Sequence, residues 1–277
     1  MLGFVLTILS SFFNEVSDVI GKQKMRQGEV SVWTTGFLTL IFGIILFLVA
    51  AFIRGSFHFS IQSLPTLIPR IILEIILSWI TITTLSRANR STFGFVRTLT
   101  IPLLLLADII MGYGVGQYQV IGMLIITVAI TFFVGFSGRI EKRGIGFLLL
   151  SATLPVFTLS LFKYNITHFN SIETEQIIVS LAILIFFYIM AIYKAKENPV
   201  LFLAKPIFLL QACVNGLASA VGGFAYLFVP PSVATAILRG GAVLFSTLSG
   251  SFYFKEKKRL FKFAVAFGIV IGLVFLA

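Results

Sequence analysis

Charged side chains recur at helical spacing near the start of this chain. Ser11, Glu15, Asp18 and Lys22 follow one another at intervals of three or four positions, so they share one face of a helix with 3.6 residues per turn. A carboxyl group removed from water favours its protonated form and can exchange protons near neutral pH. Glu15 is therefore the first candidate for proton coupling and Asp18 the second, with Asn14 a candidate substrate-binding residue. The alternative for Asp18 is a partly hydrated pair with Lys22 at a helix end.

Two later apolar stretches carry carboxyl and amide groups in a similar way. Glu74 lies in one of them, with Trp79 beside its face, and Gln211 and Asn215 lie in the other. Hydrogen bonding between helices accounts for the neighbouring serines and threonines, but an ionised Glu74 facing lipid would be unstable. We predict that Glu74 faces a cavity, pairs with a cation or is protonated. Glu74 is therefore a third candidate for proton or cation coupling, after Glu15 and Asp18. The further candidates for substrate binding are Trp79, Gln211 and Asn215.

An arginine lies inside each of two further apolar stretches. Arg97 shares a helix face with Asp108, whereas Arg239 has uncharged neighbours in its own stretch and is followed by two glycines. Two guanidinium groups that line a cavity can bind a carboxylate or a phosphate. We predict that Arg97, Asp108 and Arg239 bind substrate. In the structural alternative, Arg97 pairs with Asp108 or Glu74.

The stretches that carry these residues are long enough to cross a membrane. The 277-residue chain is 58% hydrophobic and 11% charged, whereas a soluble domain has about 25% charged residues. About 20 apolar residues cross a bilayer as a helix, and continuous runs favour helices over a barrel. The sequence predicts an all-α integral membrane protein with ten transmembrane helices. The predicted spans are residues 2–21, 30–53, 67–86, 92–111, 118–138, 144–164, 173–193, 205–228, 232–254 and 260–277.

The positive charge is distributed unevenly along the chain. Sixteen of the 21 Lys and Arg residues lie at the odd-numbered connections between spans, and only Arg54 and Arg70 lie at the even-numbered ones. Basic residues in short connections stay in the cytoplasm, so this bias predicts a multi-pass cell-membrane protein with both termini outside. The net charge of +11 is thereby explained by topology and anionic lipid, and we expect no nucleic-acid partner.

Other functional classes find little support in the sequence. The chain has one cysteine, and its two histidines, His58 and His168, lie in different connections, so we expect neither a metal site nor an internal disulfide. The sequence contains no nucleotide-binding or hydrolase motif. We therefore expect a protein that is not an enzyme and binds no cofactor.

The two halves of the chain resemble each other weakly. Arg97 maps onto Arg239 at an offset of 142 positions, and Lys22 falls beside Lys163. Because each half has five spans, the second half enters the membrane from the opposite side. Secondary transporters are built from such inverted repeats, with the substrate site near the midplane. The two predicted five-helix repeats, together one transmembrane domain, are residues 1–141 and 142–277.

These features resemble the drug/metabolite transporter superfamily in its EamA-like branch. The resemblance rests on ten spans in a 5+5 inverted repeat, on Lys22 at the end of the first helix, and on the Phe254-Lys-Glu-Lys-Lys-Arg-Leu260 segment before a glycine-rich last helix. A glutamate frequent in the family's helix 4–5 connection is absent from Gly112–Gln117. Asn14-Glu15-Val16 also resembles the membrane glutamate site of the small multidrug resistance branch, which implies that Glu15 exchanges a proton for substrate. Family members are often drawn with both termini in the cytosol, contrary to the charge bias that we follow.

The resemblance and the charged residues together predict a secondary active transporter. We expect a small polar metabolite such as an amino acid as substrate, proton coupling or exchange, and export by alternating access. The alternatives are an anionic phosphorylated metabolite, a cationic amine or drug, a flippase for a lipid-linked substrate, and a membrane partner that transports nothing. The Gly268-x-x-x-Gly272 pattern permits close helix packing, either within a monomer or in a homodimer.

Overall fold

The computed structural model describes residues 1–87, 100–137, 145–252 and 259–276, and all the long elements in these ranges are helices. The first five are α1 (Leu2–Arg26), α2 (Val32–Arg54), α3 (Leu64–Arg87), α4 (Thr100–Ile110) and α5 (Gln117–Ser137). The next five are α6 (Ile145–His168), α7 (Ile172–Met190), α8 (Pro206–Ala225), α9 (Pro231–Phe252) and α10 (Arg259–Leu276). A 3-10 turn, Ile61–Ser63, precedes α3, and a π turn, Ala191–Ala195, extends α7 towards a one-turn helix, Pro199–Phe202.

Local sequence explains where several helices begin. The Oγ of Ser31 accepts the backbone N–H of Thr34 at 3.2 Å, and the Oγ of Ser171 accepts the backbone N–H of Thr174 at 3.3 Å. Both serines thus satisfy a free donor in the first turn of α2 and α7. Pro231 is the first residue of α9, where its missing N–H costs nothing. Helix α8 ends at Ala225, three residues before the predicted span limit at 228.

Six helices, α1, α2, α3, α6, α7 and α8, are long and apolar enough to cross a membrane. The described parts of α4, α5, α9 and α10 form shorter apolar helices. Much of the outward surface is apolar as well: α3 exposes Ile68, Ile72 and Ile76, and α2 exposes Leu48 and Phe52. A surface of this kind suits lipid rather than water. The prediction of an all-helical membrane protein is confirmed in this form.

The helices pack in pairs drawn from both ends of the chain. Helix α1 packs against α8 and α9, and α6 packs against α3 and α4. Helix α2 contacts α7 and α8, α7 contacts α3, α4 contacts α9, and α5 contacts α10. Glycines permit some of these contacts: a Cβ on Gly272 of α10 would lie 3.0 Å from the carbonyl oxygen of Gly122 in α5. The glycine pattern in α10 therefore serves packing within the chain.

Three apolar clusters form the core of the described residues, and the third and smallest joins α6 to α9 through Phe162, Tyr226 and Ala234. The first cluster joins α4, α5, α9 and α10 through Ile101, Ile126, Ile237 and Ile269. The second joins α2, α3, α7 and α8 through Phe37, Leu67, Ile183 and Phe208. Helices α1 and α6 bridge these two clusters, because each packs against one helix of either cluster. The predicted charged residues within the described part of the chain lie on α1 or on helices that α1 and α6 contact: Glu15, Asp18, Glu74, Asp108 and Arg239.

Candidate functional site

The polar face of α1 points into the bundle. Ser10 Oγ donates to the carbonyl oxygen of Ala218 in α8 at 2.8 Å, and Ser11 Oγ donates to that of Leu238 in α9 at 3.1 Å. Asn14 Nδ2 lies 3.4 Å from Ser10 Oγ. These contacts fix the rotation of α1 about its axis. Glu15, on the same face as Ser11, is partly buried, with one carboxylate oxygen fully covered.

Arg239 brings the second half of the chain to this face. It lies in α9 near Asp18 of α1 and near Tyr226, and each interacts electrostatically with its guanidinium. The guanidinium is surrounded by protein, and the side chain keeps partial exposure. Gly241 lets α1 approach, because a Cβ there would meet Ser11 Oγ at 2.6 Å. Asp18 and Arg239, predicted separately, are thus brought together.

Glu74 lies near the middle of α3, on the side that faces α6. Its carboxyl group faces Arg70 one turn earlier and Thr158 of α6. The residue is surrounded by protein but is only partly buried. A carboxylate at this depth is unstable against lipid and marks an aqueous pathway or a binding site. Arg70 lies within electrostatic reach of the Glu74 carboxyl group, but its ion pair is with Glu175, so the three states predicted for Glu74 stay predictions.

Asp108 closes α4 against the start of α9. Its Oδ2 accepts the backbone N–H of Ser232 at 2.8 Å, and its side chain is fully buried. A carboxylate at the first turn of a helix is stabilised by the free N–H groups and the helix dipole. Asp108 therefore has a structural partner in α9. Its predicted partner, Arg97, lies outside the described residues.

Lys163 of α6 lies in the neighbourhood of Asp108 and was not among the predicted site residues. Its Nζ donates to the carbonyl oxygen of Tyr226 at 2.5 Å and lies 5.9 Å from the centre of the Tyr113 ring. Burial raises the pKa of Tyr113, which lies in the connection after α4. Lys163 thus ties α6 to the end of α8 beside a tyrosine that stays neutral.

The remaining predicted residues have different surroundings. Asn215 Nδ2 donates to the carbonyl oxygen of Thr39 in α2 at 2.5 Å, so it joins two helices. Gln211 is 1% exposed and packs against Gly21 of α1. Trp79 is 36% exposed and continues the outward apolar stripe of α3, so it does not face the interior of the bundle. Its assignment to the substrate site stays a prediction that this position does not support.

Sequence reasoning missed a buried ion pair between α3 and α7. Arg70 Nη1 lies 2.6 Å from Glu175 Oε1, and the two side chains are 3% and 0% exposed. Asn165 Nδ2 and Asn170 Nδ2 donate to the two carboxylate oxygens of Glu175 at 2.7 and 2.6 Å. The guanidinium carbon of Arg70 also lies 4.4 Å from the centre of the Phe162 ring. The charge count assigned Arg70 to a connection although it lies inside the predicted span 67–86, and that position was the available signal.

A second ion pair joins the last residue of α2 to the first turn of α7, at the rim of the bundle where these two helix ends meet. Arg54 Nη1 at the end of α2 contacts Glu173 Oε1 in the first turn of α7 at 2.6 Å, and Ser56 Oγ donates to the same oxygen at 2.8 Å. The Arg54 side chain is 51% exposed. The described residues contain no group of three or more metal-ligating side chains. The two ion pairs connect α7 to α2 and to α3.

An apolar groove opens between α1, α9 and α10. It has a volume of about 240 Å³ and is lined by side chains such as Phe4, Ile8, Leu244 and Val270. None of its exposed lining is polar. The groove suits a hydrocarbon chain and has nothing to hold a headgroup, so it adds no support to the flippase alternative.

Comparison with known proteins shows the fold only. No protein-family model matches this chain, and no curated protein matches it. Chains of solved structures do match, 26 in number. One of them, described only as the crystal structure of a protein, has a TM-score of 0.68 and 15% sequence identity and covers 100% of this chain and 96% of its own. The whole chain therefore adopts an architecture that is also found in a crystal structure.

Proposed function

We propose that this protein is a secondary active transporter of the drug/metabolite superfamily that moves a small polar metabolite, such as an amino acid, across the cell membrane by alternating access. All ten long helices would cross the membrane as two inverted repeats, with both termini outside. The observation that carries the proposal is the position of Arg239 of α9 inside the bundle, within electrostatic reach of Asp18 of α1 and of Tyr226. Opposite charges from the two halves suit a zwitterion.

The helix packing supports the inverted repeat. When each helix is exchanged with the one five places later, the contact of α1 with α8 becomes that of α6 with α3. The α1–α9 contact becomes α6–α4, and α2–α8 becomes α7–α3. The pairs α2–α7, α4–α9 and α5–α10 map onto themselves. A bundle with this pattern has two equivalent ways of packing, which alternating access requires.

Equivalent helix starts add support at the level of residues. The capping serines of α2 and α7, Ser31 and Ser171, are 140 positions apart, and each is followed three residues later by a threonine. The connection that follows α7 contacts the start of α2, and the connection that follows α2 contacts the start of α7. Glu197 accepts from Ser31 Oγ at 2.7 Å, and Ser56 donates to Glu173 at 2.8 Å. A serine–glutamate hydrogen bond is present at both helix starts. The glutamate lies in the connection in the first case and in the first helical turn in the second.

A cationic amine is a second candidate substrate. The described arginines within the bundle already face carboxylates: Arg239 lies near Asp18, and Arg70 contacts Glu175. Glu15 and Glu74 add further negative charge to the same region. This balance favours a positively charged group over a phosphorylated anion.

Solute counterflow tests the proposal. Proteoliposomes are preloaded with an amino acid, a polyamine or a sugar phosphate, and uptake of the same labelled solute is measured. We expect trans-stimulated uptake of an amino acid or an amine, and comparable uptake by Glu29→Gln, which alters an exposed carboxylate at a connection. Uptake no higher than in protein-free liposomes for all three classes would contradict the proposal. Labelling of Gly114→Cys by an impermeant thiol reagent outside the cell tests the orientation.

A further inference from the structure

The Arg70–Glu175 pair forms one layer of the bundle, immediately above Glu74. Arg70 is six residues into α3, which is about 9 Å at 1.5 Å per residue, and Glu74 is one turn deeper. On the facing helix α6, Phe162 contacts Arg70, and Thr158, one turn earlier, faces Glu74. The ion pair therefore lies between Glu74 and the side of the membrane on which α3 begins and both termini lie.

Other contacts between the halves close the same side. The carbonyl oxygen of His58 accepts the backbone N–H of Ser171 at 3.0 Å. The backbone N–H of Ser60 donates to Asn170 Oδ1 at 2.9 Å. Asp108 joins α4 to α9 on this side, and Lys163 joins α6 to the end of α8. The side of the termini is thus closed by polar contacts between the first and second halves.

The equivalent position on the opposite side is occupied by neutral residues. Gln211 is 141 positions after Arg70, and Gly21 precedes Phe162 by the same interval. The relationship is spatial as well, because a Cβ on Gly21 would lie 2.6 Å from Gln211 Nε2 and 3.4 Å from Thr35 Cγ2. Thr35 precedes Glu175 by 140 positions. The charged pair on one side is therefore matched by Gln211 and Thr35, both neutral, on the other.

We infer that Arg70 and Glu175 form the gate on the side of the termini, where the equivalent position of the opposite side has the neutral Gln211 and Thr35. The inference rests on the proposed transport function. Arg70 has two carboxylates within reach, Glu175 in the gate layer and Glu74 below it, so it can exchange one partner for the other when the gate opens.

Thiol labelling below the gate tests the inference. Thr158→Cys is introduced in a Cys213→Ser background, which removes the native thiol. A membrane-impermeant reagent is then added to vesicles from the side of the termini. We expect Glu175→Gln to raise the labelling rate of the introduced thiol about tenfold, the change that a 1.4 kcal/mol shift in the closed–open equilibrium produces. Arg70 keeps Glu74 as a counter-ion in this variant, so its charge is not left unpaired.

Glu173→Gln is the matched control, because Glu173 lies in the same helix turn, is buried and is ion-paired, but at the rim. It should leave the labelling rate within about twofold. Equal rates in the two variants, or no change with Glu175→Gln, would overturn the inference. If Glu175→Gln does not fold, Arg70→Gln/Glu175→Gln, which copies the neutral pair of the other side, is held to the same prediction. Counterflow by the parent protein tests the transport function separately. If the parent transports solute but Glu175→Gln does not change the labelling rate, only the gate is contradicted.

Discussion

Arg70 Nη1 and Glu175 Oε1, separated by 2.6 Å, join two helices through residues that are 105 positions apart in sequence. Both side chains are almost fully buried, and every strong contact of the Glu175 carboxylate is an N–H donor from Arg70, Asn165 or Asn170. A buried carboxylate is tolerated only with such a full set of partners. The pair therefore links the stability of the bundle to the closure of one side.

Removing one member of this pair should destabilise the protein strongly. Arg70→Met leaves Glu175 and Glu74 buried without their cation, and we expect a loss of about 3–5 kcal/mol in the free energy of unfolding. Thermal unfolding in detergent, followed by fluorescence, measures the effect. Lys24→Met, which breaks an exposed pair with Glu29, should cost about 1 kcal/mol or less. Equal losses in the two variants would show that burial does not govern these pairs.

The contact between α5 and α10 makes a prediction of its own. Gly272→Ala places a methyl group 2.6 Å from Ile126 Cγ1 and 3.0 Å from the carbonyl oxygen of Gly122, and such overpacking costs about 1–3 kcal/mol. The expected result is a lower unfolding temperature. Gly114→Ala is the control, because nothing lies within 4 Å of the added atom. An unchanged unfolding temperature in Gly272→Ala would mean that the two helices do not meet at these glycines.

Arg239 should determine affinity for the anionic part of the substrate. Arg239→Gln removes the positive charge near Asp18. We expect the substrate concentration at half-saturation in counterflow to rise at least about tenfold, as for the loss of a charge-assisted hydrogen bond. Arg239→Lys keeps the charge but lacks the planar fork, so an intermediate value is expected. Arg54→Gln, at the rim, serves as the control. If the substrate concentration at half-saturation is the same in Arg239→Gln and in the parent, the substrate does not bind this arginine.

The sequence predicted the helices well because helix formation depends on local composition. The capping serines, the proline at the start of α9 and the long apolar runs are all readable along the chain. It also identified α1 and α9 as carriers of polar groups, and the structure brings Asp18 and Arg239 together. It did not identify the Arg70–Glu175 pair, because two residues in different halves become partners only through packing. Glu175 in particular looks like an ordinary acidic residue in a first helical turn.

Trp79 illustrates the same limit in the other direction. The sequence placed Trp79 beside the helix face that carries Glu74, but the rotation of α3 about its axis is set by its contacts with α6 and α7. That rotation aligns Trp79 with Ile68, Ile72 and Ile76 on the exposed side. A helix face can be read from a sequence, but the direction in which the face points requires its neighbours.

The measurement that tests the central claim most directly is accumulation of substrate driven by a pH gradient alone. Proteoliposomes with an imposed gradient are given the solute identified by counterflow, and its concentration inside is followed with the parent protein and with Glu15→Gln. We predict that the parent accumulates solute above the outside concentration, whereas Glu15→Gln still exchanges solute in counterflow but equilibrates it without accumulation. Glu29→Gln should behave like the parent. Accumulation by Glu15→Gln equal to that of the parent, or no accumulation by either protein, would contradict proton-coupled transport through this bundle.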